Sequence, residues 1–481
     1  DPVSARRLQP QQQQKHLSEI ETEVDDLVEM GDPGQPSHRG QIVARTQRPV
    51  ENYRRPDEKK DPGDLYMSLF FHIFVIIGIR AETARKGMHN NRTDCFNTPD
   101  FMAGIYIHIP FCKSKCHYCD FYSCTLLAKK EAVLAAVADE LACRAGFLQG
   151  EPVRTVYVGG GTPSLCTPSE LGALIGRIRD VYDVSGLQEV TVEANPDDLT
   201  ADWLTALRVE GVNRLSIGIQ SFIDRDLRWM HRRHDAASAV RAVGEAQRAG
   251  FENLTVDLIY GIPQMSLAEW EQNVGQAIRL GVQHISAYHL SVEPGTVFGK
   301  RLRRGALREI DPERSVAQYR LLHEMLTGAG FEHYEISNFA RTGFRSQHNG
   351  NYWNGTRYLG VGPSAHSFDG ALRQWNAADV RLYLEREPRQ EHFESETLSE
   401  HAAYNEFVMT SLRTASGLDA DVLERRFGAR KLQYFTRLAV KFLAEGTLVR
   451  TGSAYRIPFE HYLISDTGIS VLVFVECRRE S

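Results

Sequence analysis

The sequence predicts an α/β fold: a partial (β/α)6 barrel of parallel strands, followed by a small, helical, winged-helix-like C-terminal domain. Three observations point there. From Gly104 onward, short β-branched or apolar runs alternate with longer amphipathic stretches. Polar residues gather at the ends of those runs, and after about residue 396 the alternation gives way to helical patterns.

The strands are expected at residues 105–109, 155–158, 189–193, 214–219, 254–259 and 284–290, and the helices near 128–148, 168–182, 201–210, 236–249, 267–280 and 312–329. The helix ends are well signalled. Thr167-Pro168-Ser169-Glu170 and Ser266-Leu267-Ala268-Glu269 are capping boxes, Asp311-Pro312 opens the last helix, and Gly211, Gly250 and Gly281 stand where helices stop. Strands alternating with crossover helices imply a parallel sheet, either open and doubly wound or a partial barrel, and polar residues at the strand ends favour the barrel. The helices expected after residue 396, closed by a hairpin around Gly452-Ser453, outline the C-terminal domain over 396–466. A winged helix often binds DNA, but no helix here is markedly basic, so a packing role is expected. Residues 467–481 are a tail with a β-prone run, Ile469 to Val475.

The first hundred residues read differently. Residues 1–100 carry a glutamine run, Gln11 to Gln14, scattered prolines and dense charge, and are expected to be disordered. Within them, residues 65–79 form an apolar stretch shorter than the roughly 20 residues a membrane span needs, so membrane association is possible but not required. The whole chain has 481 residues, 42% hydrophobic and 25% charged, which excludes collagen, wholesale disorder and a polytopic membrane protein. With 56 Lys+Arg against 62 Asp+Glu, the balance also argues against a protein that grips nucleic-acid phosphates.

The strongest chemical signal is Cys112-Lys-Ser-Lys-Cys116-His-Tyr-Cys119, in the loop leaving the first strand. Structural zinc wants four ligands, and His117 or Asp120 would have to complete the set. A 4Fe-4S cluster on three thiolates leaves one iron open to an exchangeable ligand, so the odd number is a clue. The second signal is Gly159-Gly160-Gly161-Thr162-Pro163, ending the second strand, where glycines let backbone approach a ligand or simply make a tight turn. Glu193, Gln220, Asp257 and His289 fall at or near the ends of the third to sixth strands. Their carboxylates and amide suit ribose hydroxyls, Arg232 suits a carboxylate, and Tyr106 is placed to reach the same ligand.

The cysteine loop resembles the signature of the radical S-adenosylmethionine (SAM) enzymes, and the glycine run resembles the loop that contacts the methionine part of SAM in that family. Taken in order, the motifs resemble the anaerobic coproporphyrinogen III oxidase family over roughly residues 104–466, with the barrel at 101–375. The resemblance implies a 4Fe-4S cluster on Cys112, Cys116 and Cys119. It also implies SAM contacts at Tyr106, Gly160, Gly161, Thr162, Glu193, Gln220, Arg232 and Asp257.

Two branches of that family diverge at one position. The oxidases carry a fourth cysteine two residues after the third, where this chain has Phe121, and that makes oxidase activity doubtful. The Cys119-Asp120-Phe121 form resembles the heme chaperone branch known as HemW. His348-Asn349-Gly350-Asn351-Tyr352-Trp353 matches the HNxxYW motif of that branch. An imidazole can ligate heme iron and a Tyr-Trp pair offers flat apolar surface, which makes His348, Tyr352 and Trp353 heme candidates beside a plain packing role. The expected function is heme binding and transfer to acceptor proteins, the alternative being oxidative decarboxylation of coproporphyrinogen III. A flavodoxin or ferredoxin would supply electrons. The oxygen-sensitive cluster implies a reducing compartment, the cytoplasm or the matrix of a mitochondrion or plastid, and not secretion.

Overall fold

A computed structural model of the chain describes residues 103–385 and 393–474. The N-terminal extension, its apolar stretch at 65–79 and the last residues of the tail lie outside them. The described chain begins β1 (Ala103–Ile109), α1 (Lys130–Cys143), β2 (Val153–Gly160), α2 (Pro168–Val181), β3 (Glu189–Ala194), α3 (Ala201–Val209) and β4 (Arg214–Gln220). It continues through α4 (Asp224–Trp229), α5 (Ala236–Arg248), β5 (Asn253–Tyr260), α6 (Leu267–Arg279), β6 (His284–His289), α7 (Val297–Arg303) and α8 (Pro312–Gly328). Both expected capping boxes are formed, Asp311 accepts from the Glu313 and Arg314 amides, and Gly211, Gly250 and Gly281 all adopt positive φ.

Strands β1 to β6 are parallel neighbours in sequence order. Their side chains alternate between the two faces over most of their length. Ile105, Ile107, Val156, Val192, Leu215, Ile217 and Val256 are sealed beneath the helices. A fully buried side chain of this kind contributes roughly 1.5–3 kcal/mol. The alternate residues line the other face, where the register sets Tyr157 beside Tyr106, Ser216 beside Glu193 and Asp257 beside Gly218. A polar inner wall under an apolar outer one is what a barrel with a ligand in its lumen requires.

Six strands do not close the sheet. After α8 come β7 (Glu332–Glu335), β8 (Asn338–Ala340), α9 (Gln347–Asn354), β9 (Tyr358–Val361), β10 (His366–Phe368), β11 (Leu372–Trp375), α10 (Val380–Glu385) and β12 (Glu394–Thr397). The sheet formed by the described strands runs β12-β11-β10-β9-β1-β2-β3-β4-β5-β6-β8-β7, so the barrel sequence is extended at both sides. Only β9 of the added strands is parallel to its barrel neighbour. A buried carboxylate fastens the extension. Glu140 of α1 accepts from Asn376, the Tyr383 hydroxyl at 2.7 Å, the Gly362 amide at 2.9 Å and Arg144, whose guanidinium also donates to the Gly360 carbonyl and to Gln374.

The C-terminal helices are α11 (Glu400–Leu412), α12 (Ala420–Glu445) and α13 (Ser465–Leu472), with a small sheet of β13 (Leu418–Asp419), β14 (Val449–Thr451) and β15 (Ala454–Arg456). Gly428, at φ 81°, breaks α12 into the two helices expected there. The β-prone reading of the tail is corrected: α13 crosses the expected boundary at residue 466 and buries Ile469 and Leu472 in the core. Packing against a helical layer overrides the strand preference of Ile and Val. Lys431 of α12 is buried over the rings of Tyr404 and Phe474, in keeping with packing.

Candidate functional site

The cysteine loop leaves β1 and is pinned at its neck, where the Cys112 amide donates to the Cys124 carbonyl at 2.9 Å and the Cys124 amide to the Pro110 carbonyl at 2.7 Å. Cys124 thus serves the loop through its backbone. On the far side His117 holds three partners: its amide donates to the Met230 carbonyl, its carbonyl accepts from the Phe298 amide, and its Nδ1 meets the Trp229 carbonyl at 3.0 Å. Its ring stacks on His231 at 4.7 Å and 5°. The loop is therefore shaped before any ligand arrives.

Cys112, Cys116 and Cys119 are half-buried and unbridged. Two donors already point at sulfur: Thr162 Oγ1 at 3.3 Å from Cys112 Sγ, and the Arg232 guanidinium at 3.5 Å from Cys116 Sγ. Donors of this kind hold metal-bound thiolates in place. Burial, and then the neighbouring Cys116, push the Cys119 thiol up to about 12, so a cation is needed to keep it a thiolate at neutral pH. Among the described residues no three such side chains converge on one point as a single ion would require. A four-iron cluster instead spreads three thiolates over three irons. The residues present fit that group.

Next to the loop, Gly160 has φ 108° and a Cβ there would stand 2.6 Å from the His108 ring, while one on Gly161 would stand 2.8 Å from the Ile109 and Phe111 carbonyl oxygens. The glycine run is thus required by close packing against β1, and the Gly160 amide is committed to Glu193 at 3.1 Å. Thr162 also accepts from Asn195, which in turn accepts from Arg232 at 2.6 Å. Gln220, at φ 72°, sits on a bulge of β4 with its amide nitrogen over Gly218, beside Arg232.

Inside the barrel, Glu193 accepts from the Tyr157 hydroxyl at 2.7 Å, and Asp257 accepts from Ser216 at 3.2 Å. Burial pushes Glu193 up to about 7 despite the Tyr157 bond, with the Asp257 charge adding to the rise; burial likewise pushes Asp257 up to about 6 against the Ser286 and Ser216 bonds. Two buried carboxyls side by side suit a ligand rich in hydroxyls or positive charge. Tyr106 lies over Tyr157 at 6.1 Å and its hydroxyl meets His108 Nδ1 at 3.0 Å. The structure thus brings the three cysteines, Thr162, Arg232 and Gln220 together at one mouth, with Tyr106, Glu193 and Asp257 just below.

Two expected residues lie elsewhere. His289 faces outward, packed on Tyr260 at 5.1 Å and against Gly261; the inward residue of that strand end is Tyr288. His348 is 1% exposed beneath the barrel, where Glu189 caps α9 through the Gln347 and His348 amides. Its Nδ1 meets Thr155 Oγ1 at 2.9 Å and its Nε2 the Tyr352 hydroxyl at 3.1 Å, and burial holds its titration down to about 3. Both of its ring nitrogens are thus hydrogen-bonded within the fold. Its ring lies 5.1 Å from that of Tyr157 and 6.4 Å from that of Tyr106, so it packs under the residues just below the mouth. Tyr352 packs on Tyr358 at 4.9 Å, and Trp353 is half-buried. Tyr157, Asn195, Ser216 and Tyr288 were not singled out by sequence. Only the alternation of β2 to β6 marks three of them as inward, and Asn195 is marked by its place two residues after Glu193.

Residues 106–276 match the model of the radical SAM superfamily, and residues 398–458 that of the HemN C-terminal domain. The heme chaperone HemW of Mycobacterium tuberculosis is 35% identical over 376 residues, 77% of this chain and 94% of that protein. The heme chaperone HemW of Lactococcus lactis is 34% identical over 323 residues, 67% of this chain and 84% of that protein. Among solved structures, coproporphyrinogen III oxidase (HemN) from Escherichia coli, a radical SAM enzyme, superposes with a TM-score of 0.68 at 21% identity, covering 79% of this chain and 92% of that one. That likeness concerns the fold. The chain belongs to the HemW heme chaperone family, within the radical SAM superfamily.

Proposed function

We propose that this protein holds heme and passes it to acceptor proteins, and that it carries a 4Fe-4S cluster whose fourth iron takes SAM. The observation that carries the reading is Phe121, which stands where the oxidase pattern has its fourth cysteine and is 39% exposed beside the loop. The heme chaperone relatives, matched over most of their length, support it. In this reading Cys112, Cys116 and Cys119 hold three irons, and Thr162 and Arg232 steady the sulfurs. Gly160 and Gly161 let the methionine end approach, Arg232 and Gln220 face it from β4, and Glu193 and Asp257 take the ribose hydroxyls above Tyr106. When bound and reduced, the cluster supplies an electron for cleavage of the SAM sulfonium bond. A flavodoxin or ferredoxin suits the electron supply, and a reducing compartment, cytoplasm or organelle matrix, suits the cluster. Among the described residues no helix is long and apolar enough to cross a membrane.

The test is to reconstitute the protein without oxygen and offer it heme and coproporphyrinogen III in turn. Stoichiometric heme uptake without protoporphyrinogen is expected. Turnover of coproporphyrinogen would overturn the carrier reading.

A further inference from the structure

Heme iron needs a nitrogen that the protein has left uncommitted, and His348 has none. Among the described residues the register places three histidines on the inner face of the sheet, His108, His284 and His366, while His348 stands on α9 beneath it. His108 spends Nδ1 on Tyr106 and Nε2 on the Tyr122 carbonyl. His284 gives Nε2 to the Tyr334 hydroxyl at 2.7 Å and, although its Nδ1 has no partner among the described residues, the residue is fully buried and closed to a ligand. His366 alone is only half-buried, and its Nδ1 has no hydrogen-bond partner among the described residues.

The surroundings of His366 are built to hold a ring still. It pairs with Trp375 across β10 and β11, and the two rings lie 5.8 Å apart at 22°. The approach to β10 is rigid: Gly362 and Ser364 both take positive φ, the Ser364 amide donates to the Ala377 carbonyl, and the Asn376 amide donates to the Ala365 carbonyl. A non-glycine residue held in that region is strain that the surrounding bonds must enforce, a device common at ligand sites. Gly360, the register partner of Tyr106, lies against the His366 backbone, where a Cβ would collide with the His366 carbonyl oxygen, so His366 is on the strands beside Tyr106.

We propose that His366 is the axial ligand to heme iron in this protein, with Trp375 fixing the plane of its imidazole. The assignment rests on the heme-carrying reading above and moves the iron from the floor of the barrel to its β9–β11 side. Burial, followed by the Arg373 charge, holds His366 down to about 4, so the ring is neutral at physiological pH as ligation requires.

The test titrates ferric heme into cluster-loaded protein under anaerobic conditions, following the heme absorbance and electron paramagnetic resonance spectra. For His366→Ala, affinity should fall by about tenfold or more and the histidine-ligated signature should be lost, with cluster iron content unchanged. Added imidazole should restore the signature. Trp375→Leu should weaken binding while keeping the same ligation. If His366→Ala does not accumulate, His366→Gln, which keeps side-chain bulk, is judged by the same criteria. A His366 variant with wild-type spectrum and affinity would overturn this assignment and leave the carrier reading standing. Failure of the unaltered protein to take up heme would overturn both.

Discussion

At the scale of single residues, the chemistry turns on groups whose environment pushes them from their ordinary state. Glu193 titrates at about 7 in the fold against 4.5 ordinarily, so the folded protein keeps a proton that the unfolded chain has released. Its contribution to stability therefore falls as pH rises from about 4.5 to about 7. Ribose hydroxyls favour the carboxylate, so SAM binding should release a proton and tighten as pH rises through 7. Calorimetry in buffers of different ionisation heat should show that release, and Glu193→Gln should abolish it; an undiminished release would assign the proton elsewhere. Cys116→Ser should cost the protein its cluster iron and its broad visible absorbance, and a full cluster in that variant would refute the ligand set. The cysteine triplet, the glycine run, Glu193 and Asp257 were legible because identity and spacing carry their chemistry. Tyr157 was not, because a tyrosine in a β-run looks the same whether it faces a lumen or a core. His366 was not either, since Gly-Val-Gly-Pro-Ser-Ala-His has no ligand spacing to announce it.

Among the elements, α9 shows how a motif can mark a branch without saying where its side chains are buried. The His-Asn-x-x-Tyr-Trp pattern identifies the branch, but pattern says nothing of burial, and His348 closes the floor of the barrel with its ring 5.1 Å from Tyr157. His348→Ala should lower stability by roughly 2–4 kcal/mol, since it opens a cavity and strands the Thr155 and Tyr352 hydroxyls. Denaturant unfolding measures it, and a loss under about 0.5 kcal/mol would remove the floor role. The six barrel strands and their helices were legible because period, caps and terminal glycines agreed. Helix α13 was not, because its β-branched residues carry a strand preference that only the presence of α11 and α12 reverses.

For the molecule as a whole, Glu140 is the fastening between barrel and extension. Glu140 is 1% exposed and gathers donors from Arg144 just past α1, from the turn after β9, from Asn376 after β11 and from Tyr383 of α10. Glu140→Ala should destabilise by roughly 3–5 kcal/mol, because Arg144, Asn376 and Tyr383 are left buried without their acceptor. Hydrogen exchange should show the β9–β11 amides losing protection before those of β2 to β5; uniform loss would mean that the extension and barrel open together. The open sheet has a further consequence. Its outermost strand on that side, β12, reads Glu-Ser-Glu-Thr and is largely exposed. An unpaired strand invites a second copy to add itself, and two carboxylates in four residues repel that neighbour. Among the described residues the sheet thus ends at an edge guarded by its own charge.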